Sequence, residues 1–157
     1  MTDFTSLYEA FAADVFRFAL YLSGDRADAE DITSETFMRA WTSHEPIRTE
    51  TVKGYLFTIA RNVFLKQLRT SGRRAPLDEN LRDSRPSAFD HAQQRAEVAS
   101  VLEAMQSLPD LDRAALVMRT FDELPYREIA RVLEITETAA KVKVHRARAS
   151  LMNLRRA

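Results

Sequence analysis

The sequence predicts an all-α protein: two small helical domains joined by a flexible linker, the C-terminal one a helix-turn-helix. Three observations predict this. Apolar residues recur at three- and four-residue steps in successive blocks, the period of helices lying on a core. The 157 residues include three glycines and five prolines, too little turn chemistry for an all-β or Rossmann-type fold. One stretch, SGRRAPLDENLRDSRPS at 71–87, breaks the periodicity with two prolines and many charges, and reads as a linker. The expected division is therefore a helical domain over 1–72, a linker over 73–87 and a helix-turn-helix domain over 88–157.

The elements follow in order. Phe4, Leu7, Tyr8, Phe11, Val15, Phe18, Ala19 and Leu22 form the stripe of a first amphipathic helix, ended by Ser23-Gly24. Asp25 is suited to cap a second helix, with Ala29, Ile32, Thr33, Phe37, Ala40 and Trp41 as its inner face. Thr42 to Arg48 forms a loop around Pro46. Thr49 can cap a third helix with the stripe Val52, Leu56, Ile59, Ala60 and Val63, ending near Ser71-Gly72. Helical patterning resumes at about Ala88, with Val98, Val101, Leu102 and Met105 as the stripe of a fourth helix. Pro109 opens a fifth helix carrying Leu111, Ala115, Leu116 and Met118. Pro125 to Leu133 is a short sixth, and Thr136 caps a seventh that runs to about Arg155.

A hydrophobic fraction of 45% supports packed cores and argues against a wholly disordered chain. The absence of cysteine excludes disulfide scaffolds, cysteine-based zinc fingers and thiol catalysis. No apolar run is long enough for a transmembrane helix, and Met1-Thr2-Asp3-Phe4 does not open a signal peptide. No nucleophile–base pair, Gly-rich phosphate loop or metal cluster stands out, so no enzyme activity and no cofactor are expected.

The zero net charge conceals segregation. Residues 51–75 carry six basic and no acidic side chains, and residues 138–157 again six and none. Residues 1–50 carry four basic and ten acidic. Two all-basic helices suit two polyanion contacts, and the acidic block suits a different, basic partner. Taken alone, the pattern fits solvated basic helix faces equally well.

Residues 124–148, LPYREIARVLEITETAAKVKVHRAR, place a short helix, a tight turn and a longer helix in sequence, the outline of a helix-turn-helix. Ala140, Val144, Ala147, Leu151 and Leu154 fall on one side of the longer helix. Lys141, Val142, His145, Arg146 and Arg148 lie off that stripe, where Lys and Arg can donate to guanine edges or hold phosphates. The competing reading is a helical hairpin in a bundle with a solvated basic face. In DAEDITSETFMRAW (28–41), Asp31, Ser34, Glu35 and Met38 share one exposed face with Glu30 beside it, suited to a basic protein partner. Acids near a helix start also favour the helix dipole, so part of this cluster can be structural. In KGYLFTIARNVFLKQLRTSGRR (53–74), Tyr55, Phe57 and Phe64 interleave with Lys53, Arg61, Lys66, Arg69, Arg73 and Arg74. Rings that stack on bases and cations that follow a backbone suit single-stranded nucleic acid. Phe57 is better read as core, while Tyr55 falls away from the stripe.

Taken in order, DAED…ETF…RAW, then YLFTIARN with its basic continuation, then LPYREIA…VKVHRAR, the sequence resembles bacterial sigma factors of the extracytoplasmic-function (ECF) group over nearly its whole length. The resemblance implies a protein that binds core RNA polymerase and directs promoter recognition, DNA melting and transcription initiation. It implies docking on core polymerase through Glu30, Asp31, Ser34, Glu35 and Met38. It implies a 41–51 loop holding a flipped base, and contact with single-stranded −10 DNA by Tyr55, Arg61, Asn62, Lys66, Arg69, Arg73 and Arg74. It implies contact with the duplex −35 element by Arg119, Thr138, Lys141, Val142, Lys143, His145 and Arg146. An anti-sigma factor is the further partner it implies. The location it implies is the bacterial cytoplasm, with no membrane contact of its own beyond tethering by such a partner. This chain departs from the family at Tyr55 (usually Trp), Ser34 (often Gln), Lys66 (often Asp or Asn), Pro125 (usually Ser), and Glu134 and Thr138 (often Gly).

Duplex opening must be offset by tighter binding of the unpaired strand than of the duplex. One base stacked on an aromatic contributes about 1–3 kcal/mol, so a single tyrosine is insufficient, and cations, a base pocket and the polymerase must supply the remainder. Seventeen linker residues reach roughly 58 Å when taut at about 3.4 Å each. That spans on the order of one and a half duplex turns, enough for one domain on each element.

Overall fold

The computed structural model describes residues 4–42, 49–71 and 92–156. Those residues form seven α-helices and no strand: α1 (Phe4–Ser23), α2 (Arg26–Thr42), α3 (Val52–Ser71), α4 (Ala92–Gln106), α5 (Asp110–Thr120), α6 (Tyr126–Leu133) and α7 (Glu137–Arg156). The predicted linker, with Arg73 and Arg74, lies outside the described residues, as does most of the Thr42–Arg48 loop.

Helix boundaries trace to local chemistry. α1 stops at Gly24, whose φ of 74° suits a residue without Cβ and whose N–H donates to Leu20 O at 2.7 Å. Asp25 caps α2 as expected, its Oδ2 accepting from Asp28 N at 2.9 Å. Thr136 caps α7 by accepting from Ala139 N at 3.0 Å. The predicted cap of α3 requires correction. Thr51, not Thr49, accepts from Gly54 N at 2.9 Å, and the Thr49 hydroxyl instead donates to Thr51 O. α6 begins after Pro125 without a side-chain cap, and it ends at Glu134 in the left-handed region, φ 58°.

The stripes hold in their middles and fail at their ends. Val15, Phe18, Ala19 and Leu22 of α1, Ile32 and Phe37 of α2, and Leu56, Ile59, Ala60 and Val63 of α3 are buried. Phe18 and Phe57 stack at the centre, ring centroids 4.5 Å apart. Phe64, expected among the base-stacking aromatics, is buried core. Trp41, Val52 and Leu154, all assigned to inner stripes, are exposed near the ends of their helices, and Val101, inside α4, is exposed as well. Ala140, Val144 and Ala147 of α7 are buried, as the helix-turn-helix reading requires.

The two helical domains, α1–α3 and α4–α7, also pack on each other. α1 meets α4 and α5, and α3 meets α6. Tyr21 stacks on Phe121 at 5.2 Å, with the Arg17 guanidinium over the Phe121 ring. The buried apolar side chains form one cluster through both domains. No described helix is long and apolar enough to cross a membrane.

Candidate nucleic-acid and polymerase interfaces

α2 presents Glu30, Asp31, Ser34 and Met38 to solvent, with Glu35 half-buried beside them. Glu30 pairs with Arg26 at 3.5 Å and Glu35 with Arg39 at 2.8 Å, both one turn apart along the helix, so part of the acidic face is internally neutralised. Next to it lies a groove lined by Phe4, Tyr8, Phe37, Met38 and Trp41. Its aromatics touch edge-on, Phe4 on Trp41 at 5.6 Å and Tyr8 on Phe37 at 5.0 Å. Sequence reasoning assigned Phe4, Tyr8 and Trp41 to the core and so missed this groove. Its signal was present in Phe4 and Tyr8, one turn apart at the very start of α1.

On α3, Asn62, Lys66 and Arg69 are exposed and Tyr55 is half-buried. Their spacing of seven, four and three residues keeps them on one face. Arg61 stands apart, half-buried and paired with Asp110 of α5 at 3.4 Å. Lys53 is likewise engaged, reaching Asp14 at 3.3 Å and Asp122 at 3.4 Å.

On α7, Thr138, Lys141, Val142 and His145 are exposed on the side away from the buried Ala140–Val144–Ala147 stripe. Arg146 makes a two-pronged contact to Asp112, Nε and Nη2 at 2.8 and 2.9 Å, and this hydrogen bonding raises its already high pKa. Lys143 lies 3.9 Å from the same buried carboxylate. Arg119 donates to Leu124 O at 3.0 Å and sits 4.3 Å from the Tyr126 ring centroid, with Lys141 5.9 Å from the same ring. Arg146 and Arg119 are thus structural partners as well as predicted DNA contacts.

Several polar groups that sequence reasoning did not single out join the two domains. Glu128 of α6 is buried and accepts from Glu50 N at 3.1 Å, Thr51 N at 2.9 Å and Thr51 Oγ1 at 2.6 Å. Glu50, in turn, takes Arg131 at 2.8 Å and Arg127 at 3.3 Å, and these hydrogen bonds, Arg131 first, lower its pKa. Asp122, whose side chain is shielded from solvent, receives Arg17 at 2.9 Å as well as Lys53, yet burial outweighs both cations and pushes its carboxyl pKa up. Arg113, its pKa lowered by burial, donates to Leu108 O and across the interface to Leu22 O at 3.1 Å.

An all-α chain that sets an acidic helix, a basic helix with a half-buried Tyr beside exposed Asn, Lys and Arg, and a helix-turn-helix in this order has the two-region plan of a sigma-70-type protein. The family model for sigma-70 region 2 matches residues 7–74, and that for sigma-70 region 4 matches residues 99–151. The chain is 33% identical to the ECF RNA polymerase sigma factor SigM of Bacillus subtilis, over 94% of this chain and 92% of that one. It is 30% identical to SigL of Mycobacterium tuberculosis, over 89% and 81% respectively. The fold is similar to that of the sigma factor RpoE of Bartonella quintana, solved with the anti-sigma factor NepR, at a TM-score of 0.77. The sequence identity there is 24%, covering 100% of this chain and 99% of that one. The chain belongs to the ECF RNA polymerase sigma factors, the subunits that direct promoter recognition.

Proposed function

We propose that the chain performs this role with three separate surfaces. The α2 face of Glu30, Asp31, Ser34, Glu35 and Met38, with the aromatic groove beside it, docks on core polymerase. Tyr55, Arg61, Asn62, Lys66, Arg69, Arg73 and Arg74 bind the unpaired −10 strand. Arg119, Thr138, Lys141, Val142, Lys143, His145 and Arg146 bind the −35 duplex. The working units are residues 1–72, a tether over 73–87, and residues 88–157. The protein works in the bacterial cytoplasm by binding alone, without covalent catalysis, and an anti-sigma factor controls it.

The observation that carries this reading is the exposed Thr138–Lys141–Val142–His145 face on a helix whose opposite side is buried. That geometry presents donors to a major groove from a rigid support. The roles within the face follow from what holds each side chain. Lys141 and His145 are exposed and able to read bases, while Arg146, held by Asp112, is fixed for a phosphate. Tyr55 supplies a ring and Asn62, Lys66 and Arg69 supply donors and charge along the same line, which suits an extruded strand.

The test is reconstitution with sigma-free core polymerase on genomic promoter fragments. Transcription is expected, and Tyr55→Ala with Asn62→Ala should abolish promoter opening while leaving assembly with core intact. Failure of the purified chain to associate with core would overturn the reading.

A further inference from the structure

The cations of the C-terminal domain are held in two different ways. Arg146 and Lys143 of α7 share the buried Asp112 carboxylate, so their charge is met inside the protein. Arg119 of α5 and Lys141 of α7 meet instead at the ring of Tyr126, the first residue of α6. The Arg119 guanidinium lies 4.3 Å and the Lys141 ammonium 5.9 Å from the ring centroid. Neither of these two cations is paired with a carboxylate among the described residues. One ring thus joins the end of α5, the start of α6 and the first turns of α7.

The local backbone brings them together. After α5 the chain turns back through Glu123 in the left-handed region, φ 54°, and Leu124 N donates to Met118 O at 3.2 Å. Arg119 closes the same turn by donating Nη1 to Leu124 O at 3.0 Å. Pro125, extended at ψ 153°, then starts α6 with Tyr126 half-buried beside that guanidinium. Arg119 is therefore fixed by a carbonyl and by a ring, neither of which carries a net charge.

The two holding devices differ in what they leave for an anion. A carboxylate fixes a cation but offsets its charge and occupies its N–H donors. An aromatic ring attracts a cation through its quadrupole and leaves the charge in place. Immobilising a free Arg or Lys side chain on binding costs roughly two- to tenfold in affinity. A ring that orders the side chain beforehand removes part of that loss.

We infer that Tyr126 is a positioning residue of the duplex-binding face: its ring, not its hydroxyl, sets Arg119 and Lys141 in place for promoter DNA. The inference rests on the −35 assignment made above. It adds a residue of α6 to a face otherwise drawn from α5 and α7, and it makes the two ring-held cations the ones whose charge is spent on DNA.

The test uses the reconstituted holoenzyme and a promoter fragment on which it initiates, at a temperature that keeps the duplex closed and across a salt series. Tyr126→Leu keeps apolar bulk and removes the ring. It should weaken binding about tenfold with helical circular dichroism retained. Both charges remain in that variant, so the salt slope should hold, whereas Arg119→Ala should lower it by about 1. Tyr126→Phe keeps the ring and should bind within about twofold of the unaltered chain. In a chain carrying Arg119→Ala and Lys141→Ala, Tyr126→Leu should cost nothing further. Tyr126→Met, also bulky and without a ring, repeats the measurement should the leucine variant not fold. Equal losses in Tyr126→Phe and Tyr126→Leu would overturn the role of the ring in favour of a contact through the hydroxyl. A loss that persists when both cations are gone would overturn positioning in favour of plain support of the fold. If Arg119→Ala and Lys141→Ala leave affinity unchanged, the −35 assignment fails and the positioning role with it. If they weaken binding and Tyr126→Leu does not, the positioning role alone fails.

Discussion

The two basic helices, α3 and α7, carry the same excess of positive charge in the sequence but live under different constraints. α7 is served by its own domain. Thr136 caps it, and Asp112 and Tyr126 hold Arg146, Lys143 and Lys141. α3 has its own cap in Thr51, yet that cap, Lys53 and Arg61 are all engaged by acids of the other domain. The proposed duplex-binding face is therefore held by its own domain, whereas Lys53 and Arg61, flanking the proposed strand-binding face, are held by the other domain while Asn62, Lys66 and Arg69 stay exposed. Charge segregation in a sequence locates candidate polyanion contacts, but only three-dimensional partners show which are free.

The largest expected effect separates the domains energetically. Phe57 is fully buried and stacked on Phe18 in the N-terminal core. Phe57→Ala should destabilise that domain by about 3–5 kcal/mol. If the two domains unfold separately despite their shared apolar contacts, calorimetry should resolve two transitions, with the C-terminal one nearly unmoved. A single shifted transition would mean the domains fold as one unit.

Next in size are single deletions on each face. Lys141→Ala should weaken −35 duplex binding by about 1–3 kcal/mol if it reads a base edge. Tyr55→Ala should cost a similar amount, about 1–3 kcal/mol, in single-strand affinity. The comparison predicts a difference in how these losses appear. The Lys141 loss should fall on the duplex and spare the single strand, whereas the Tyr55 loss should fall on the single strand and spare the duplex. Filter binding or anisotropy on the two DNA forms checks both.

The middle of each helix was legible from its apolar period, and the caps Asp25 and Thr136 from residue type and position. The cap of α3 was not, because Thr49 and Thr51 both precede the stripe, and periodicity does not say which hydroxyl meets the first free N–H. Trp41, Val52 and Leu154 misled for a related reason: a stripe records what a helix could bury, not where its neighbours end. On the acidic face, the helix α2 and its exposed residues came through. The groove of Phe4, Tyr8 and Trp41 did not, since aromatics at a helix end read as core. Glu128 was illegible as a contact between the domains. Its partners lie 77 and 78 residues away, and no local pattern encodes a carboxylate that serves a distant backbone.

A smaller effect concerns pH. With the two domains packed together, burial raises the Asp122 carboxyl above its ordinary value of 3.8, against the pull of Arg17 and Lys53 and with Asp14 adding to the rise. The folded chain thus binds protons more readily at Asp122 than the unfolded one just above 3.8, and acidifying into that window adds stability through Asp122. Glu50 acts oppositely. Its pKa is held below 4.5, so its contribution is present above 4.5 and is lost as pH falls through the lowered value. Melting followed from about pH 7 towards 5 should therefore show no loss of stability from these two groups. Asp122→Asn should flatten any response that remains.

The smallest effect sharpens the account of the preassembled face. The turn between α6 and α7 passes through Glu134 at φ 58°, ψ 46°, a left-handed conformation closed by Ile135 N donating to Ala130 O at 3.0 Å. Holding a residue with Cβ there costs of order 1–3 kcal/mol, which glycine avoids. Glycine also gains freedom in the unfolded chain, which offsets roughly 0.5–1 kcal/mol of that saving. Glu134→Gly should therefore stabilise the C-terminal domain by about 1 kcal/mol, a rise of about 4–8 °C in its melting transition. The −35 affinity should stay the same, because Lys141 and His145 keep their support on α7. A gain in stability with a loss of affinity would show that the strained turn sets the angle of the reading helix, and that its rigidity is tuned rather than merely built in.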